Sequence, residues 1–143
     1  MTDTAMQTEA PPMPKTLGGL VAYLTLDGVQ KAAEFYKTAF GAEQVFMVPP
    51  DENGRTMHLH LYINGSSLML CDGYPEHGHP AEKPQGYTMQ LIVDDIDFWW
   101  ERAVKAGAEI TLPLQLMFWG DRYGQLRDPF GVNWAMNAPA RKD

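Results

Sequence analysis

The sequence predicts an α+β fold built from two tandem βαβββ modules, whose curved mixed sheets enclose a cleft and carry helices on their outer faces. Three observations predict it. Strand-like and helix-like patterns run in the order β-α-β-β-β and then repeat that order. The letters repeat with them. Gly41-Ala42-Glu43 follows the first helical stretch, and Gly107-Ala108-Glu109 follows the second, 66 positions later. Asp27 and Asp94 close the first and fifth strands, 67 positions apart. Finally, the stretch from Gly73 to Gln85 holds three prolines and two histidines and reads as a linker between equal halves.

Each element has a local reason. Residues 1–16 are polar, with Pro11, Pro12 and Pro14, and read as a disordered tail. The first module covers residues 17–72. Leu20–Asp27 is rich in β-formers. Gln30–Phe40 places Ala32, Ala33, Phe35, Tyr36, Ala39 and Phe40 at helical spacing, and Gly41 supplies the stop. Glu43–Val48 is a short strand ended by Pro49-Pro50. Met57–Ile63 alternates Met57, Leu59, Leu61 and Ile63 against His58, His60 and Tyr62; Asn64-Gly65 then fits a type I′ turn, and Ser66–Asp72 returns. Residues 73–86 are the linker. In the second module, residues 87–138, Tyr87–Asp94 is a strand and Asp95 caps a helix with Ile96, Trp99, Trp100, Ala103 and Val104 on one stripe. Ile110–Phe118, Tyr123–Asp128 and Val132–Asn137 are the remaining strands, and Asp128-Pro129-Phe130-Gly131 is a turn. Residues 139–143 form a second tail.

Composition narrows the function. The 143 residues are 45% hydrophobic and 20% charged, which suits a globular chain. One cysteine, Cys71, forms no disulfide framework, and its expected setting is a buried small hydrophobe. No apolar run reaches membrane-spanning length, and the start carries Asp3 and Glu9 in place of a leader's apolar core, so a cytoplasmic location is expected. The net charge of −7, with no Lys/Arg cluster, argues against nucleic acid as partner. No P-loop, dinucleotide fingerprint or nucleophile elbow is present.

Three stretches carry a resemblance, two of them Ala33-Glu34-Phe35-Tyr36 with Phe40-Gly41-Ala42-Glu43, and Val93-Asp94-Asp95-Ile96-Asp97. The most specific is the run from Phe118-Trp119-Gly120-Asp121-Arg122-Tyr123-Gly124 to Asp128-Pro129-Phe130-Gly131-Val132-Asn133-Trp134. With the duplicated βαβββ order, these residues resemble the vicinal oxygen chelate superfamily of glyoxalases, bleomycin-resistance proteins and extradiol dioxygenases, and within it the PhnB-like, glyoxalase-like subgroup. The resemblance implies metal ligands on the first, fourth, fifth and eighth strands, near Val21, Met69, Thr88 and Ala135. None of these suits a divalent cation, so no metal and no cofactor are expected.

Alternation places His58, His60, Tyr62, Ser67, Met69 and Cys71 on one sheet face with Val21, Tyr23 and Thr25. Thr88, Gln90, Ile92, Tyr123, Gln125, Arg127, Asn133, Ala135 and Asn137 take the matching face of the second module. The expected ligand-binding residues are Tyr23, His58, His60, Gln90, Trp119, Arg122, Tyr123 and Asn133, gathered in one cavity. His58 and His60 fit acid–base work or a shifted metal site; with no carboxylate partner evident, the simpler reading is a hydrogen-bonded pair in a polar cleft. Arg122 either grips a ligand or pairs with Asp121 or Asp128. Trp99 and Trp100 serve the core or a homodimer contact. The expected partner is a small organic ligand, cationic and aromatic in one version. A metal-dependent lyase, isomerase or dioxygenase using His58 and His60 is the alternative.

Overall fold

The computed structural model describes residues 13–140, so the outer parts of both expected tails, residues 1–12 and 141–143, lie outside the described residues. The first half runs β1 (Ala22–Leu26), α1 (Val29–Phe40), β2 (Glu43–Met47), β3 (Leu59–Ile63) and β4 (Ser66–Asp72). The second runs β5 (Met89–Ile92), α2 (Ile96–Ala106), β6 (Glu109–Leu116), β7 (Asp121–Arg127) and β8 (Asn133–Pro139). Each half forms a four-stranded mixed sheet, in the orders β1-β4-β3-β2 and β5-β8-β7-β6. The first and last strand of each module pair in parallel; the other pairs are antiparallel.

The hairpin between β3 and β4 shows how sequence sets register. Asn64 and Gly65 take φ of 51° and 81°, as a type I′ turn requires. Ile63 therefore faces Ser66, Tyr62 faces Ser67 and His60 faces Met69. Leu59, Leu61, Leu68 and Leu70 all fall on one face and are buried. A one-residue slip would expose them together, so burial holds this register.

Both helices are amphipathic, and each covers one face of its own sheet. Helix α1 has no side-chain cap of its own. The buried carboxylate of Asp72, at the end of β4, accepts hydrogen bonds from the Gly28 and Val29 N–H groups at 2.9 and 3.1 Å and from Thr56 N–H at 2.8 Å. Helix α2 is capped as expected: Asp95 accepts from Phe98 N–H. The helices touch each other where the Arg102 side chain donates to the Ala39 carbonyl at the end of α1.

The core is continuous across the modules. Tyr36 and Phe40 of α1 stack with ring centroids 5.8 Å apart, and Trp134 of β8 packs on both, at 5.3 and 4.5 Å. Trp100 belongs to this core, and a Cβ on Gly124 would lie 2.5 Å from its ring. Trp99 is half-buried under the guanidinium of Arg102, 4.6 Å from its ring. Their shared expectation of a dimer contact therefore loses Trp100, which the chain itself covers. The linker carries one 3-10 turn, Pro75–His77, and His77 and His79 are exposed.

Candidate functional site

The face of the first sheet opposite α1 is lined with rings. Tyr23 of β1 and His58, just before β3, meet edge to face with centroids 5.3 Å apart. Tyr23 Oη lies 2.7 Å from His58 Nδ1. Phe46 of β2 approaches His58 at 6.0 Å; His60 follows at 6.4 Å, and Tyr62 lies 5.2 Å beyond His60. The alternation of β3 causes this row, because every second residue of His58-Leu59-His60-Leu61-Tyr62 carries a ring while the leucines fill the core.

The two histidines differ in setting. His58 is half-buried, next to the half-exposed Tyr23. His60 is buried, with Nε2 2.7 Å from Ser67 Oγ. Residues 15–17 cross this end of the face. The Tyr62 hydroxyl donates to the Lys15 carbonyl at 2.6 Å, and Leu17 N–H donates to Ser67 Oγ at 2.8 Å. Burial, reinforced by the neighbouring His58, holds the His60 pKa below the usual histidine value, so its neutral form is favoured. Burial, then the nearby Cys71, raises the Tyr23 pKa, so its phenol stays protonated. Cys71 is not a buried hydrophobe: it is half-buried on this face, with Sγ 3.4 Å from Thr25 Oγ1.

The free face of the second sheet is chemically different. Tyr123 and Gln125 project from β7, Asn133 and Asn137 from β8 and Gln90 from β5, while Leu126, Trp134 and Met136 turn into the core. Gln125 donates to the Tyr123 hydroxyl at 3.0 Å, and Trp119 packs edge-on against Tyr123 at 5.8 Å. Arg122 does not share this face. It pairs through both terminal nitrogens with Asp97 of α2, each at 2.9 Å, so neither Asp121 nor Asp128 is its partner. Asp128 is engaged elsewhere, and Asp121 accepts from Asn137 at 3.0 Å.

Hydrogen bonds and ring contacts thus join the expected residues into two groups, one per module: Tyr23, His58 and His60 on the first sheet, Trp119 and Tyr123 on the second. Gln90 borders a small cavity between the sheets, beside Ser67 of β4 and Trp134. Asn133 holds Arg127 at 3.2 Å. Sequence reasoning missed Phe46 and the crossing of residues 15–17. The Phe46 signal was its place in a short strand, but its face depends on a bulge between Gln44 and Phe46.

A family model described as the glyoxalase/bleomycin resistance protein/dioxygenase superfamily matches residues 20–136. The chain belongs to this superfamily. A Mycobacterium tuberculosis relative, the uncharacterized protein Rv0887c, is 38% identical over 130 residues, covering 86% of this chain and 75% of its own. The crystal structure of PA1353 from Pseudomonas aeruginosa is 28% identical, with a TM-score of 0.70 over 85% of this chain and 98% of that one. A Bacillus cereus PhnB protein, titled a putative 3-demethylubiquinone-9 3-methyltransferase, shares the fold at a TM-score of 0.63 and 23% identity, over 85% of this chain and 99% of that one.

The superfamily's metal positions can be tested on the donors present. Met69 sits between Tyr23 and His60 in register, and Ala135 between Gln90 and Gln125. A thioether and a methyl group, with Val21 and Thr88, do not fit Mg²⁺, Mn²⁺ or Fe²⁺. Among the described residues, no three His, Cys, Asp or Glu side chains gather at metal-binding spacing. Among the described residues, no helix is long and apolar enough to cross a membrane.

Proposed function

We propose that this superfamily member binds a small organic molecule without a metal ion, using the ring-lined face of its first sheet. The Tyr23–His58–His60–Tyr62 row carries the reading. A row of π faces with a phenol and an imidazole attracts a planar ligand and offers it hydrogen bonds at one end. No Lys, Arg, Asp or Glu projects from the same face within β1, β3 or β4. A cationic aromatic compound fits best, since π faces attract cations and the chain carries −7. Gln90, Trp119, Tyr123 and Asn133 stand on the second sheet's side, outside this row, and Arg122 stays with Asp97.

A thermal-shift screen of cationic, neutral and anionic aromatic compounds tests this. The cationic set should raise the melting temperature most, and Tyr23→Ala should weaken binding at least tenfold, about 1.4 kcal/mol. A shifted metal site is disfavoured because, among the described residues, no third His, Cys, Asp or Glu joins His58 and His60 at metal-binding spacing. Elemental analysis finding one metal per chain, lost in the His58→Ala/His60→Ala double variant, would overturn the metal-free reading in favour of the lyase, isomerase or dioxygenase alternative.

The same reading includes a homodimer. Leu116 and Phe118 are 66% and 96% exposed at the tip of the β6–β7 hairpin, beside the half-exposed Trp119, an apolar cluster that water does not favour. Light scattering should report twice the chain mass of 16.1 kDa, and Phe118→Glu should shift the particle toward one chain. A single-chain particle at micromolar concentration would remove the dimer.

A further inference from the structure

The second sheet's free face has an unusual centre. Ala135 lies on that face, yet its methyl group is fully shielded from solvent. Its lateral neighbours in register are Gln90 on β5 and Gln125 on β7. Its neighbours along β8 on the same face are Asn133 and Asn137. Four primary amides therefore surround one small, covered floor. We infer that this amide cross binds a neutral polyhydroxylated ring, the chemistry of a sugar. The inference rests on the reading above in taking the free faces as binding surfaces, and it names the ligand class for the second of them.

Charge decides first. The same face carries two acids and one base, all at its margins: Asp121 accepts from Asn137, and Arg127 pairs with Glu109 at 3.6 Å and donates to Asn133. The middle of the face is uncharged, so an anion or a cation gains little there. An aromatic hydrocarbon would strip water from the amides without replacing their hydrogen bonds, which is unfavourable for each buried group left unpaired. A hydroxyl both donates and accepts, and so does a primary amide. Each of these amides keeps hydrogen-bonding capacity beyond its bonds to Tyr123, Arg127 or Asp121, and Gln90 makes no side-chain bond among the described residues.

Shape decides next. Adjacent strands lie about 4.8 Å apart and alternate residues about 6.7 Å apart, so the amides stand around Ala135 in both directions of the sheet. A ring with hydroxyls on its whole perimeter meets groups on all sides. A nucleobase such as uracil keeps its polar atoms in the ring plane and leaves its C5–C6 side bare, so it would leave one side of the cross unmet. At the Tyr123 end, Trp119 is half-exposed and already packs on Tyr123, giving the C–H face of such a ring an aromatic surface.

The test uses the full chain and methyl β-glucopyranoside, followed by the side-chain amide and indole N–H signals in nuclear magnetic resonance. Saturable shifts of the Gln125, Asn133 and Asn137 amides and the Trp119 indole are expected, weakened at least tenfold by Gln125→Leu and unchanged by His58→Ala. Should Gln125→Leu not fold, Gln90→Ala on the exposed edge strand reads the same loss. The His58→Ala control separates the two readings: failure of the aromatic screen leaves the glucoside shifts intact. No saturable shift with the glucoside overturns the inference, as does saturation by uracil in its place.

Discussion

His60 shows how one side chain ties function to stability. It is buried against Ser67, and burial together with His58 lowers its pKa. A histidine whose pKa falls on folding binds fewer protons in the native state than in the unfolded chain over the window below its ordinary value of 6.5. Its contribution is complete above that pH and is lost as pH falls toward the depressed value. The melting temperature should therefore drop between pH 7 and pH 5, and His60→Gln, which keeps a bond to Ser67 without a titrating ring, should flatten that drop. Equal pH slopes for both proteins would remove this account. The alternation of β3 gave His60 its face from sequence alone. Its burial was not legible, because its neighbours Tyr62 and Ser67 are tied to residues 15–17, more than forty positions away, through bonds no pattern encodes. Arg122 teaches the same lesson: Asp121 and Asp128 were the partners expected from sequence, and the packing of α2 against the second sheet brings in Asp97 instead.

At the scale of elements, period and punctuation did most of the work. The Asn64-Gly65 turn, the alternating leucines and the Asp95 cap each act within a few residues, so the sequence displays them directly. Contacts between elements are less visible. Gly124 sits in mid-strand, where glycine weakens a sheet. The structure gives the reason for it: Trp100 of α2 presses onto it, and an added Cβ would fall 2.5 Å from the ring and 3.1 Å from the Leu114 backbone. Gly124→Ala should thus destabilise the chain by about 1–3 kcal/mol, the cost of overpacking, despite alanine's better conformational entropy. Urea unfolding of the two proteins checks it; a neutral or stabilising effect would show that α2 can ride outward. The companion variant Gly124→Ala/Trp100→Leu should recover part of the loss, which a backbone-strain explanation does not predict.

Across the whole molecule, the two modules are joined by one buried carboxylate. Asp128 Oδ1 accepts from Phe130 and Val132 N–H within its own turn, at 2.8 and 3.0 Å. Its Oδ2 accepts from the Trp134 indole at 2.9 Å and from the Tyr36 hydroxyl of the first module at 2.5 Å. Burial, then the charge of Asp128, raises the Tyr36 pKa well above that of a free phenol, so it remains a donor. The duplicated pattern could have given two domains that unfold separately; this bond and the Phe40–Trp134 contact argue for a single cooperative unit. All four tryptophans lie beyond residue 98, so fluorescence reports the second module and, through Trp134, its contact with the first. Tyr36→Phe alters only the first module's side of the bond. It should cost about 1.5–3 kcal/mol, as for a hydrogen bond to a charged group. Tryptophan fluorescence and far-ultraviolet circular dichroism should move to lower urea together, as one transition. If fluorescence kept its midpoint while the dichroism signal split into two steps, the modules would be independent domains, and the buried carboxylate would be a local turn device with no role in joining them.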